Sequence, residues 1–259
     1  MNIQFFKYQG AGNDFVVIDN RESVIDKNNN ELINKLCDRR FGIGADGLML
    51  LQNKDGYDFE MVYFNADGFE GTMCGNGGRC IVAFAHFLGI IKEKTHFWAI
   101  DGEHEAEVIN AEYVNLKMSN VNDVEINDDY YFLDTGSPHY VAFVKGIEEL
   151  DVFNAGKAIR YNDRFKEKGT NVNFVEEINN RLLVRTYERG VENETLACGT
   201  GITACAIAAS VHYGKAKECY DIKALGGELK VRYTQDGTSF FNIWLEGPAV
   251  QVFEGRITL

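Results

Sequence analysis

The sequence predicts an α/β protein of the α+β type, built as two pseudo-symmetric lobes in which a mostly antiparallel β-sheet curls around one central buried helix. Three observations lead to this fold. Cys74 and Cys198 lie on matching glycine turns about half the chain apart, strand-like runs recur in both halves, and each half has one helix that is apolar on nearly every side. Such a helix must be buried, and a wrapped sheet covers all of its sides.

Strand-like runs dominate the chain and are separated by turn residues at hairpin-like distances. In the first half the predicted strands are residues 3–8, 15–19, 48–51, 59–64, 96–100, 105–109 and 113–118. In the second half they are residues 130–134, 140–144, 172–177, 182–187, 221–224, 229–233, 240–245 and 250–253. The recurrence indicates that both halves build the same kind of sheet.

Four helices are predicted, two central and two peripheral. Residues 79–88 and 202–211 are apolar nearly all round and form the two central helices. Residues 30–39 and 153–161 are amphipathic and are expected outside the sheets. Each central helix follows one of the cysteine turns, so each thiol is expected at a helix start, at the rim of its lobe.

The boundary between the lobes carries no Pro/Ser-rich linker and no low-complexity segment. We therefore place it near residues 119–124, at the midpoint of the repeat. The predicted N-terminal lobe is 1–118, completed by a C-terminal strand at 250–259, and the predicted C-terminal lobe is 119–249. We expect the active site in the cleft between them.

Composition and charge exclude several classes of protein. The 259 residues are 45% hydrophobic and 25% charged, which is ordinary for a globular protein, and the formal net charge is −13. That balance offers no basic footprint for nucleic acid or an anionic membrane. No apolar stretch is long enough to span a bilayer, and the N-terminal residues do not resemble a signal peptide. The sequence therefore predicts a cytoplasmic protein that binds a small molecule.

The six cysteines are expected to be free thiols, because a cytoplasmic compartment keeps them reduced. Four of them are interpreted as packing residues: Cys37, Cys80, Cys205 and Cys219. No close Cys-x2-4-Cys pair and no His-Glu-x-x-His occurs, so no metal site is predicted. The glycine turn at residues 42–47 precedes a strand-like run instead of a helix, so it does not fit a dinucleotide loop. No cofactor is predicted.

Cys74 and Cys198 differ from the other cysteines because each begins a Cys-Gly-x-Gly turn that leads into a central helix. The first backbone N–H groups of a helix have no intrahelical partner and carry partial positive charge, which stabilises a thiolate or a substrate carboxylate. Glycines let the backbone approach a ligand closely. Two such thiols facing one substrate are suited to moving a proton between the two faces of a carbon atom.

Several motifs in a fixed order extend this interpretation. They are Gly10-Ala11-Gly12-Asn13-Asp14-Phe15, Arg40-Phe41-Gly42-Ile43-Gly44-Ala45-Asp46, Phe64-Asn65-Ala66-Asp67-Gly68, Met73-Cys74-Gly75-Asn76-Gly77, Tyr187-Glu188-Arg189-Gly190 and Ala197-Cys198-Gly199-Thr200-Gly201. Together they resemble the diaminopimelate epimerase family over most of the chain. The resemblance implies interconversion of LL- and meso-diaminopimelate without pyridoxal phosphate or metal, on the path to lysine and peptidoglycan, by a homodimer with Cys74 and Cys198 as the two proton carriers.

The resemblance also implies roles for further residues. Those that would bind the substrate's polar ends are Asn13, Asn65, Asn76 and Asn171, with the backbone at Gly75, Gly199 and Thr200. Arg189 would hold the carboxylate distal to the reacting carbon, and Glu188 would bind the distal ammonium or tune the thiols. His139, in a Gly-Ser-Pro-His segment, would also tune the thiols. Amide groups suit a zwitterion because they accept from ammonium and donate to carboxylate.

Two departures and two alternatives stand beside this interpretation. Ser137 occupies a place where many relatives carry asparagine, and Gly47 one where some carry glutamine, which bears on the full set of substrate contacts. A proline or hydroxyproline racemase resembles the same fold and cysteine pair, but that group usually has histidine at the place of Asn76 and needs no clamp such as Glu188 and Arg189. The non-enzymatic alternative is a thiol redox sensor or a binding protein, since facing cysteines could form a disulfide.

Overall fold

The computed structural model describes residues 2–214, 217 and 219–258, which divide into two compact units. Unit 1 comprises the described residues up to Leu116 and those from Gly247 onward, and unit 2 comprises those from Lys117 to Glu246. The chain therefore enters unit 2 once and returns to unit 1 for its last strand.

Unit 1 is a sheet with two helices. Its strands are β1 (Asn2–Gly10), β2 (Asn13–Asp19), β3 (Gly47–Gln52), β4 (Glu60–Asn65), β5 (Lys94–Ala99), β6 (Gly102–Asn110), β7 (Tyr113–Lys117) and β17 (Val250–Thr258). They pair in the order β17-β1-β2-β3-β4-β5-β6-β7. All neighbours are antiparallel except β2 with β3 and β4 with β5. Helices follow β2 and β4, the strands that precede the two parallel pairings.

Unit 2 repeats this arrangement. Its strands are β8 (Glu125–Ile126), β9 (Tyr131–Asp134), β10 (Pro138–Phe143), β11 (Asn171–Ile178), β12 (Arg181–Glu188), β13 (Asn193–Thr195), β14 (Cys219–Ala224), β15 (Gly227–Asp236) and β16 (Ser239–Pro248). The order is β8-β9-β10-β11-β12-β14-β15-β16, with β13 also paired to β12. The parallel neighbours are β10 with β11 and β12 with β14.

The two sheets share one sequence of strand directions, and helices interrupt them at the same places. Parallel neighbours need a crossover connection, which explains why a helix separates each parallel pair along the chain. The predicted fold class is therefore confirmed, and every predicted strand is present. The sequence interpretation missed β8 and β13, because strands of two and three residues leave no readable alternation.

The central helices are α2 (Gly75–Phe87) and α4 (Gly199–Tyr213). Their predicted starts at residues 79 and 202 were wrong, because the glycine-rich turns already have helical hydrogen bonding despite the low helix propensity of glycine. α2 contacts β1, β2, β3, β4, β6 and β17, and α4 contacts β9, β10, β11, β12, β14 and β15. Contact with most strands of a unit buries these helices except at their ends, where Phe87 of α2 and His212 of α4 are exposed.

The peripheral helices are α1 (Asn30–Cys37), which ends two residues earlier than predicted, and α3 (Val152–Arg160), which begins and ends one residue earlier than predicted. Side chains cap both: Asn29 accepts from the N–H of Leu32, and Asp151 accepts from the N–H of Asn154. The buried face of α1 packs against β3 and β4, and that of α3 against β11 and β12. Each sheet thus has a helix on both of its faces.

Candidate active site

Cys74 is the residue that precedes α2, with φ −108° and ψ 142°. Its sulfur accepts a hydrogen bond from the backbone N–H of Gly77 over 3.3 Å, which satisfies one of the unpaired donors of the helix start. The same sulfur lies 3.8 Å from Oδ1 of Asn13, to which the thiol donates. Cys74 is therefore held between a backbone donor and an amide acceptor.

Asn13 lies at the edge of an ionic cluster. Its Nδ2 donates to Oδ2 of Asp46 over 2.7 Å, and Arg39 donates to Oδ1 of Asp46 over 2.7 Å. Arg39 also binds Asp14, which accepts in addition from the buried Lys7. Burial raises the pKa of Asp14, but the hydrogen bonds from Arg39 and Lys7 outweigh it and hold that pKa well below its usual range. Asp14 therefore stays ionised at neutral pH.

A fully buried cation lies inside the first turns of α2. Arg79 is 0% exposed and donates to Oδ1 of Asn76 over 2.8 Å, to the carbonyl of Gly75 over 3.1 Å and to the carbonyl of Pro248 over 3.3 Å. Burial lowers the pKa of this guanidinium, yet an arginine remains charged in such a site. Because Oδ1 of Asn76 faces Arg79, the amide's orientation is determined, and positive charge is placed next to the helix start.

Asn65 is positioned by residues that the sequence interpretation missed. The hydroxyl of Tyr63 donates to its Oδ1 over 3.1 Å. A Cβ atom at Gly47 would lie 2.6 Å from the Tyr63 ring, and one at Gly71 would lie 2.9 Å from Nδ2 of Asn65. Gly47 therefore makes room for Tyr63 in this chain. In the sequence, the only signal for this packing of Tyr63 and Asn65 was the pair of small residues, Gly47 and Gly71.

Cys198 precedes α4 with φ −113° and ψ 112°, so it is the counterpart of Cys74 in unit 2. Its sulfur lies 3.4 Å from Oγ1 of Thr200, a hydroxyl that can donate to it. Thr200 in turn lies 3.0 Å from Nε2 of His139 and 3.2 Å from Oγ of Ser137. A chain of hydroxyl and imidazole groups therefore ends at this thiol.

The tautomer of His139 follows from its neighbour Asn173. The amide of Asn173 donates from Nδ2 to the carbonyl of Tyr140 over 3.0 Å and accepts at Oδ1 from Thr186 over 3.0 Å, so Nδ2 also faces Nδ1 of His139 at 3.1 Å. Nδ1 must then accept, and Nε2 carries the proton. Burial lowers the pKa of His139 to about 3, with a further contribution from the charge of Arg189. His139 is therefore neutral at physiological pH.

The close approach of His139 and Asn173 to α4 depends on Gly201. A Cβ atom at this position would lie 2.5 Å from Oδ1 of Asn173 and 3.3 Å from Cε1 of His139. Gly201, the last residue of the Cys-Gly-x-Gly turn, thus has a packing reason to be glycine, in addition to any ligand contact.

Asn171 connects the remaining predicted residues of unit 2. It is 4% exposed, and its Oδ1 accepts from the backbone N–H of Arg189 over 2.9 Å while its Nδ2 donates to Ser137 over 3.2 Å. The Arg189 side chain is exposed and donates to the carbonyl of Lys168. Glu188 accepts from the hydroxyl of Thr195 over 2.7 Å. The structure thus brings Asn171, Arg189 and Ser137 together with His139 and Thr200.

The other four cysteines have raised thiol pKa values. Burial raises the pKa of Cys37 to about 12 and also raises the pKa of Cys80, Cys205 and Cys219. Cys37, Cys80 and Cys205 are buried and Cys219 is partly buried. Among the described residues there is no group of three or more His, Cys, Asp or Glu side chains able to hold a metal ion, and no helix long and apolar enough to cross a membrane.

The chain matches the family described as diaminopimelate epimerase over residues 5–124 and 131–252. The diaminopimelate epimerase of Flavobacterium psychrophilum is 52% identical over 256 residues, which cover 98% of this chain and 100% of that protein. The diaminopimelate epimerase of Chlorobaculum tepidum is 46% identical over 260 residues, covering 96% of this chain and 99% of that protein. These similarities extend through both units.

Solved structures with the same fold are more distant in sequence. A phenazine biosynthesis protein of the PhzF family from Bacillus anthracis superposes with a TM-score of 0.78 at 14% identity, over 100% of both chains. A hydroxyproline epimerase from Agrobacterium vitis superposes with a TM-score of 0.71 at 14% identity, over 100% of this chain and 93% of that one. At such identities the likeness concerns the fold alone.

Proposed function

This chain belongs to the diaminopimelate epimerase family, and on that premise we propose that it interconverts LL- and meso-diaminopimelate by proton transfer between two cysteines. It is an isomerase that acts in the formation of lysine and peptidoglycan precursors. One observation carries the mechanism: Cys74 and Cys198 each occupy the residue before the central helix of a unit. The duplicated fold supplies one thiol twice.

In the proposed reaction one cysteine acts as a thiolate and the other as a thiol. The thiolate takes the α-proton from one face of the substrate carbon, the electron pair of the C–H bond is delocalised into the α-carboxylate, and the opposite thiol donates its proton to the other face. The products are the inverted carbon and a pair of cysteines with exchanged protonation. The reverse reaction uses the same groups with exchanged roles, so atoms and charge balance in both directions.

The charge that develops on the α-carboxylate needs donors that are already in place. The starts of α2 and α4 offer the backbone at Gly75, Gly199 and Thr200, where N–H groups and the helix dipole favour an anion. Arg79 adds a cation under the start of α2, and its hydrogen bond to Oδ1 of Asn76 turns the NH₂ group of that amide away from the guanidinium. These groups do the work that an electron-withdrawing cofactor would otherwise do.

The distal amino-acid head of the substrate is assigned to Arg189, Glu188 and Asn65. Arg189 has an exposed guanidinium and a backbone held by Asn171, which suits it to receive a mobile carboxylate. Glu188 carries the charge needed for the distal ammonium. Asn171 is committed to protein partners through both ends of its amide, which supports a positioning role beside the substrate-binding role that the family resemblance implies.

We further propose that the protein acts in the cytoplasm as a homodimer. The six free thiols suit a reducing compartment. Val252 and Phe253 on β17 are 55% and 48% exposed, and exposed apolar side chains of this size are typical of surfaces that a second copy covers. Light scattering on the purified protein should give twice the mass of the chain, and the mass of one chain would contradict the dimer.

The experiment that tests the reaction is proton NMR of the reduced protein with LL-diaminopimelate in deuterated water, without added cofactor. Loss of the α-proton signal together with formation of the meso isomer is expected. A folded, reduced sample that neither exchanges the proton nor forms the epimer would contradict the proposal. Parallel incubation with L-proline tests the related racemase activity, which the low identity to the hydroxyproline epimerase does not favour.

A further inference from the structure

The orientation of the Asn13 amide is determined by the chemistry of its two neighbours. The side-chain oxygens of Asp46 accept hydrogen bonds, so the atom 2.7 Å from its Oδ2 is the NH₂ group of Asn13. The opposite end of the amide, Oδ1, then faces the Cys74 sulfur at 3.8 Å. Asp46 therefore determines that Asn13 presents its amide oxygen, an acceptor, to the Cys74 sulfur and not its NH₂ group.

An acceptor beside Cys74 favours the protonated form of the thiol. The S–H group donates to the amide oxygen, whereas a thiolate would face the oxygen's lone pairs. The Gly77 N–H group acts in the opposite direction, because it donates to the sulfur over 3.3 Å and favours the thiolate. The Gly77 N–H group and the Asn13 oxygen therefore have opposite effects on the protonation of Cys74.

Asp46 is itself held by several contacts. Arg39 donates to Oδ1 over 2.7 Å, the Asp14 N–H donates to Oδ2 over 3.3 Å, and the Ala66 N–H donates to the Asp46 carbonyl over 3.1 Å. The carboxylate therefore presents Oδ2 to Asn13 in one fixed position. Neither Asp46 nor Arg39 was among the residues that the sequence singled out for the site.

We propose that Asp46 is a positioning residue for the reaction: by holding the NH₂ group of Asn13, it keeps the amide oxygen on Cys74 and stabilises the acid form of this thiol. The proposal rests on Cys74 being a proton carrier, but it concerns a property of the thiol that exists without substrate. Its test can therefore fail or succeed independently of the epimerase reaction.

The test is the substitution Asp46→Asn, measured on Cys74 alone. An asparagine at position 46 has only one side-chain oxygen, and the charged Arg39 binds that oxygen more strongly than Asn13 or the Asp14 N–H does. The NH₂ group of the new asparagine therefore faces Asn13. The Asn13 amide then turns over, because two NH₂ groups cannot hydrogen-bond to each other. Cys74 then meets a donor, and its pKa should fall by about one unit. Ultraviolet thiolate absorbance against pH reports this pKa in a Cys198→Ser background, where the remaining cysteines titrate higher because burial raises their pKa.

A plain charge effect has the same sign, because removing a carboxylate also lowers the pKa of a nearby thiol. Two controls separate the explanations. In an Asn13→Ala background, Asp46→Asn should no longer shift the pKa of Cys74. In the protein that retains Asn13, the shift should persist at about 1 M salt, where the screening length is about 3 Å. The variant Arg39→Gln retains both Asp46 oxygens, so it should shift the pKa of Cys74 by less than half of the shift in Asp46→Asn.

An unchanged Cys74 pKa in Asp46→Asn would overturn the proposal, and so would a shift of equal size with and without Asn13. Asp46→Ser, which removes the acceptor by shortening the side chain, repeats the measurement if the asparagine variant does not fold. In the enzyme with both cysteines, the acid limb of the pH profile of kcat/KM should move to lower pH by the same amount as the titration. Loss of activity with an unmoved profile would indicate a structural role instead.

Discussion

Cys74 and Cys198 occupy equivalent places in two copies of one fold, yet their neighbours differ in chemistry. Cys74 lies between a backbone donor, the Gly77 N–H, and an acceptor, Oδ1 of Asn13. Cys198 lies beside the Thr200 hydroxyl, behind which stands the neutral ring of His139. The repeat preserves the position of the thiol, whereas the groups that influence the protonation of each thiol are not repeated.

The charge under each helix start differs as well. Five positions after each cysteine, unit 1 has the fully buried cation Arg79, whereas unit 2 has Thr203, which donates to the carbonyl of Gly199. A proton transfer that runs in both directions needs one thiolate and one thiol in the resting enzyme. Different electrostatic surroundings in the two units favour a different protonation state at each thiol.

Replacement of either cysteine should give the largest effect. Cys74→Ser and Cys198→Ser should each lower kcat/KM for epimerisation by about 10³-fold or more, because a serine hydroxyl neither ionises at neutral pH nor replaces a proton carrier. Cys219→Ser, at a partly buried thiol outside both sites, is the control and should retain full activity. Near-normal turnover by either of the first two variants would remove the basis for the two-thiol reaction.

Arg79→Met and Thr203→Val compare the two helix starts in stability. Arg79→Met removes the side-chain donor from three acceptors, two of them buried, and should destabilise unit 1 by about 3 kcal/mol. Thr203→Val should cost unit 2 less than about 1 kcal/mol. Each unit has one tryptophan, Trp98 in unit 1 and Trp244 in unit 2. The substitutions Trp244→Phe and Trp98→Phe each leave one tryptophan, whose fluorescence follows denaturant unfolding of its own unit. Equal losses of unfolding free energy in Arg79→Met and Thr203→Val would contradict the asymmetry.

Acidification should destabilise unit 2 more than unit 1, because His139 lies in unit 2. The pKa of this buried ring is lowered to about 3, so between that value and its unfolded value of about 6.5 the unfolded chain binds more protons than the folded one. Stability from this group is therefore complete above the unfolded pKa and falls as pH decreases. From pH 6.5 to 5, unit 2 should lose about 2 kcal/mol on this account.

Trp244 fluorescence in a Trp98→Phe background measures that loss. His139→Gln should abolish the additional pH dependence of unit 2, while unit 1, whose three histidines are not buried, should lack it from the start. The same loss in wild type and His139→Gln would show that another group is responsible.

Thr200→Val should give the smallest effect and the opposite sign to Asp46→Asn. Removing a hydroxyl that donates to the sulfur disfavours the thiolate, so the pKa of Cys198 should rise by about one unit. Thiolate absorbance in a Cys74→Ser background measures this pKa, and Thr200→Ser, which retains the hydroxyl, should leave it unchanged. A fall in the pKa of Cys198 would mean that the hydroxyl accepts from the thiol and that both thiols face acceptors.

Much of the fold could be predicted from the sequence because it depends on local patterns. Apolar periodicity and turn residues located every longer strand and all four helices, while the first turns of α2 and α4 were missed because glycine disfavours helix in isolation. The repeat itself was readable from Cys74 and Cys198.

By itself the sequence determined the duplicated sheet and helix, the cysteine that begins each central helix, and the family to which the chain belongs, since these reside in short motifs and in their order. The tertiary structure decided what surrounds each thiol. Asp46, the residue before β3, reaches Asn13 at the start of β2, and Asn173 on β11 determines the tautomer of His139 on β10. Hydrogen-bond direction and burial depend on partners distant in the chain, and these set the protonation of a group that no local pattern encodes.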